Sequence, residues 1–132
     1  MNENNFDRVK ISFRLEKEEN GFPPATTETV WAKRISEDQY KIDNIPFYVR
    51  GISSGDIVSI TNESGGLVYD KLLTPSDNST LRIIIMDKNE KEETESNLRK
   101  YFIKLGCVIE GSQSGMFAVE VPVSVKLEPI II

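Results

Sequence analysis

Short apolar stretches of strand length, each cut off by glycine, proline or a polar turn, recur along this chain and confine it to sheet-rich folds. Val9, Ile11, Phe13 and Leu15 alternate with Lys10, Ser12 and Arg14, the period of a strand with one buried face. The stretch from Glu16 to Thr27, with Gly21, Pro23 and Pro24, breaks regular structure and reads as an exposed loop. Thr29 to Ile35 is β-branched and aromatic, and Gln39 to Ile42 is expected to pair with it across a turn at Ser36, Glu37 and Asp38. Ile57 to Thr61 and Leu67 to Leu73 flank a second hairpin signal at 62–66, with Gly65 and Gly66 at the turn. Five short strands before residue 75 point to a small twisted antiparallel sheet or a partly open barrel.

Beyond Pro75 the pattern changes. Leu81 to Met86 is nearly continuous in apolar residues, as expected of a central strand covered on both faces. Between residues 89 and 105, Leu98, Tyr101, Phe102 and Leu105 repeat at the spacing of one buried helical face. Glu90, Glu92, Glu93 and Glu95 crowd its start, Lys100 and Lys104 lie near its end, and Gly106 follows, in agreement with the helix dipole and a helix stop. Cys107 to Glu110 and Met116 to Val121 form a last hairpin across 111–115. A right-handed crossover through the helix sets Cys107 to Glu110 parallel to the 81–86 strand, giving a β-α-β-β half of a ferredoxin-like arrangement. The expected fold is therefore α+β, with a β-rich lobe at 1–75, a βαββ lobe at 76–122 and a tail at 123–132 in one compact unit. The apolar end, Ile130 to Ile132, is expected to dock on the body or on another copy, a route to self-association.

The 132 residues contain no histidine, which removes Ser-His, Cys-His and His-metal chemistry. The single cysteine, Cys107, has no internal disulfide partner and begins an apolar strand, the setting of a small core residue. Carboxylates are plentiful, but no spacing singles out a catalytic pair or a calcium loop, and no glycine loop is placed to cradle phosphate. No cofactor, metal or catalytic residue is expected. The start of the chain lacks a signal peptide's basic and apolar regions, and no run approaches the ~20 apolar residues of a membrane span, so a cytoplasmic protein is expected. Twenty-one acidic residues against sixteen basic give a net charge of −5, which disfavours nucleic acid and anionic lipid and favours a basic protein partner.

The positive signal is aromatic. Trp31, Tyr40, Phe47, Tyr48 and Arg50 gather around the irregular segment 44–56, which Pro46, Gly51 and Gly55 keep from joining a strand. Trp, Tyr and Arg dominate the energetics of protein interfaces. Trp31 and Phe47 read more readily as core, while Tyr48 and Arg50 beside glycines are the candidate anchors. Asp43 with Asn44, and Asp56, are expected to shape turns through bonds to the backbone. Trp31, Asp43, Phe47, Tyr48, Arg50, Asp56 and Arg82 form the candidate partner-binding set.

The segments ETVWA at 28–32, YKIDNIPFYVRGISSGDIV at 40–58 and STLR at 79–82 resemble a family of small bacterial proteins, domain of unknown function 4265. The resemblance runs from about Val9 to Pro122, with the Asp43 to Phe47 segment and the Gly55-Asp56 pair as its signature; the tail lies outside it. It implies a bacterial cytosolic protein and carries no activity or catalytic residues. The leading expectation is a non-enzymatic binding protein of the immunity or antitoxin type, covering a basic toxin or effector domain with an acidic, aromatic-bearing surface. The alternative is a regulatory module that binds a small ligand or nucleic acid between the two lobes, with Arg50 and Arg82 as polar contacts.

Overall fold

The computed structural model describes residues 8–21, 23, 25–86, 89, 91–111 and 115–125. The expected docking of the apolar tail lies outside the described residues. The chain divides into two compact units, Met1–Ser76 and Asp77–Ile132.

In the first unit, β1 (Arg8–Arg14), β2 (Thr27–Ser36), β3 (Gln39–Ile42), β4 (Ile57–Glu63) and β5 (Gly66–Thr74) form an up-and-down meander. The sequence pointed to a small twisted antiparallel sheet or a partly open barrel; the structure is the barrel, and it is closed, through a parallel contact between β1 and β5 at Ser12 and Val68. Closure follows from burial on the period of two. Ile11, Phe13, Val30, Ala32, Tyr40, Ile42 and Val58 all point inward and pack together, and a flat five-stranded sheet would leave that face in water. The β4–β5 hairpin turns on Ser64 and Gly65, both at positive φ (51° and 81°), as a two-residue turn matched to strand twist requires.

In the second unit, β6 (Ser79–Ile84), α1 (Lys91–Leu105), β7 (Val108–Gly111) and β8 (Met116–Val121) follow in order, with the sheet arranged β6-β8-β7. β6 and β7 both pair antiparallel with β8, so they run parallel to each other with β8 between them, a split βαβ. This corrects the expectation that the 81–86 run is the central strand. β6 is an edge; Ile84 is 52% exposed and Met86 85%. The strand with neighbours on both sides is β8, in which all but Glu120 are buried. α1 covers this sheet with Leu98, Tyr101, Phe102 and Leu105. It ends on Gly106 at φ 92°, where the Gly106 N–H donates to Ile103 O (3.0 Å) and the Cys107 N–H to Phe102 O (2.9 Å), a Schellman closure.

Candidate functional site

β2 ends the irregular segment's freedom at a single side chain. The Glu28 carboxylate accepts three consecutive backbone N–H groups, from Phe47 (2.6 Å), Tyr48 (2.9 Å) and Val49 (3.0 Å). Proline at 46 and glycine at 51 keep this stretch out of the sheet, so its N–H groups need another acceptor, and a carboxylate in the barrel wall supplies it. Asn44 adds a second tie by accepting the Trp31 N–H at 2.6 Å. Asp56 adds a third: it accepts the N–H groups of Ser53 (2.9 Å) and Ser76 (2.8 Å) and the Ser76 hydroxyl (2.8 Å).

The loop so held walls a cleft of about 280 Å³ where β1 leaves the barrel. Phe13 and Tyr69 stack across its floor with ring centroids 4.7 Å apart, Tyr48 and Pro23 line its side, and Arg14, Glu16 and Glu18 stand at the rim. Arg50 pairs with Glu18 and Arg14 with Glu63. Burial pushes the Tyr69 phenol above its usual range, with the carboxylates of Asp56 and Asp70 adding to the rise. The phenol is therefore a hydrogen-bonding group and no source of phenolate at neutral pH.

The seven candidate residues fall into separate places. Tyr48 and Arg50 line the cleft together, and the half-buried Phe47 precedes them on the loop. Trp31 is not core, in contrast to the sequence reading. It lies in phase with exposed Thr29 on the outer face of β2, 37% exposed, while Val30 and Ala32 on either side take the inner face. The Arg8 guanidinium and Lys10 ammonium sit 4.5 and 5.0 Å from the Trp31 ring centroid. Asp43 belongs to this outer cluster through a 3.5 Å ion pair with Arg8. Asp56 does not fit partner contact: it is 4% exposed and its carboxylate is taken up by Ser53 and Ser76. Arg82 is half-buried on β6 in the second unit, while the other six lie in the first. The residue missed from sequence is Glu28, whose partners stand some twenty positions away.

Cys107 is buried, and burial, aided by the Glu120 charge, raises its thiol above the ordinary range, the opposite of a reactive cysteine. Among the described residues no group of three or more carboxylates or thiols is placed to hold a metal ion, and no helix is long and apolar enough to cross a membrane.

A crystal structure of a hypothetical protein from Neisseria gonorrhoeae is similar to this chain, with a TM-score of 0.69 and 18% identity over 89% of this chain and 77% of that one. At that identity the likeness shows a shared fold. Comparison with curated proteins finds no match. The sequence pattern of a domain of unknown function, DUF4265, matches residues 28–131. The match starts at the loop-clamping carboxylate, not near Val9, and runs past Pro122, so the tail falls within the shared pattern as far as residue 131. Asn44 and Asp56 serve with Glu28 to fix the 44–56 loop, and by the match over residues 28–131 the chain belongs to the DUF4265 family.

Proposed function

We propose that this chain is a non-enzymatic, cytoplasmic binding protein of the immunity or antitoxin type, which grips a basic partner domain at the cleft beside Tyr48 and Arg50. The observation that supports this reading is the Glu28 clamp. Three N–H groups held by one carboxylate set the backbone of 47–49 before any partner arrives, so binding there costs little loop ordering. A cleft of about 280 Å³ lies at the lower limit of small-molecule sites and suits one inserted side chain. Glu18 is held by Arg50, which leaves Glu16 at the rim, within a net charge of −5, to favour a cationic anchor carried over the Tyr48 and Tyr69 rings.

The test is capture of partners from the native host by the intact protein and by its Tyr48→Ala, Arg50→Ala double variant. A basic protein recovered by the wild type and lost, by about a hundredfold in affinity, from the variant is the expected result. No protein partner, or equal capture by both, would sink the proposal. Stabilisation by a metabolite in a thermal-shift panel would instead favour a small-ligand site in the same cleft.

A further inference from the structure

Net charge hides a segregation of sign. Strands β1, β2 and β3 carry six cations, Arg8, Lys10, Arg14, Lys33, Arg34 and Lys41, against one carboxylate, Glu28. That carboxylate is turned to the 47–49 N–H groups. The register then aligns the cations: Arg8 lies opposite Lys33, and Lys33 opposite Lys41, a row crossing three strands. Neighbouring strands are only about 4.8 Å apart, and like charges set directly opposite destabilise a sheet. Asp43, 3.5 Å from Arg8, borders the row at one end, and the exposed Glu37 and Asp38 stand in the β2–β3 turn beyond Lys33 and Lys41. A row of this kind, kept on an acidic protein, is best relieved by an anion from outside.

The adjacent row sets Lys10 opposite Trp31, and the next sets Ser12 opposite Thr29. An aromatic exposed over 37% of its surface thus stands among cations and hydroxyls. The centre of a protein–protein interface is depleted in charge and apolar around its anchor, which does not describe these neighbours. Cations that track phosphates, beside an aromatic on which a base stacks, are the equipment of single-strand binding surfaces. We propose that the β1–β3 face of the barrel binds single-stranded nucleic acid, with Arg8, Lys33 and Lys41 on the phosphates and Trp31 stacking an unpaired base. The overall charge of −5 slows long-range approach, but at physiological salt it is screened beyond about 8 Å, so contact is decided by the local row.

Trp31 is the chain's single tryptophan, so its fluorescence reports this face in the intact protein. Titration with oligouridylate and with oligothymidylate is expected to quench it saturably, with a log–log salt slope of about −2 for three phosphate contacts. Stronger quenching by one of the two identifies RNA or DNA as the strand bound. The Lys33→Glu, Lys41→Glu pair should lower affinity at least about tenfold, and Trp31→Ala about tenfold when followed by the anisotropy of a labelled strand. Lys33→Gln with Lys41→Gln is the substitute if charge reversal disturbs folding, judged by circular dichroism. No quenching by either strand, equal quenching by polyglutamate, or undiminished binding by a folded lysine variant overturns the proposal. The Tyr48→Ala, Arg50→Ala variant should titrate like the wild type, so the cleft reading and this one fail separately.

Discussion

One carboxylate carries the loop. Glu28 accepts three backbone N–H groups, and each hydrogen bond to a charged acceptor contributes about 1.5–3 kcal/mol when its loss leaves a donor unsatisfied. Glu28→Gln preserves shape but turns an amide donor toward N–H donors. We expect it to lower stability by about 2–3 kcal/mol, read as a lower urea midpoint at unchanged slope, and to speed amide exchange at 47–49. At this scale the sequence was legible where bonding is local. Asp56 accepts the Ser53 N–H three residues away, as its place before the strand implied, whereas Asn44 reaches the Trp31 N–H thirteen positions back and Asp43 turns its carboxylate to Arg8. Glu28 was not legible, because nothing nearby in the chain marks the donors it meets. Aromatic size alone does not place Trp31; its phase with Thr29, opposite to Val30 and Ala32, is the signal that puts it outside.

Among the elements, β7 has little room to change at Gly111. A methyl group at Gly111 would stand 2.7 Å from an Arg99 nitrogen and 2.8 Å from the Phe117 ring. Arg99 is long enough to move aside, but Phe117 is fully buried on the central strand and is not. Gly111→Ala should therefore cost about 1–3 kcal/mol, seen as a lower thermal midpoint of the helix signal in circular dichroism. The helix was legible to within two residues, since periodicity, end charges and Gly106 agree. The rank of the strands was not. A continuous apolar run such as 81–86 says that a strand has something to bury, but its place in the sheet depends on which later strand returns beside it, and β8 returned between β6 and β7.

For the whole molecule, sign and distance separate two effects. A net charge of −5 acts on the rate at which a basic partner arrives, while the cleft acts on how long it stays. Raising the salt concentration should slow association with little change in dissociation, and Tyr48→Ala should do the reverse; surface plasmon resonance of the captured complex measures both. Barrel closure was only half legible, because alternation reveals a buried face without stating what covers it. The strand count decides the rest. Five is odd, so a meander that closes must join its first and last strands in parallel, and β1 and β5 do so at Ser12 and Val68. The chain thus enters this unit at one pole, at Arg8, and leaves at the other, at Thr74, about 30 Å away along the strands. An even-stranded meander could have its ends sewn together by a few residues. Here a circular permutant of the barrel alone needs a connector about as long as the barrel itself.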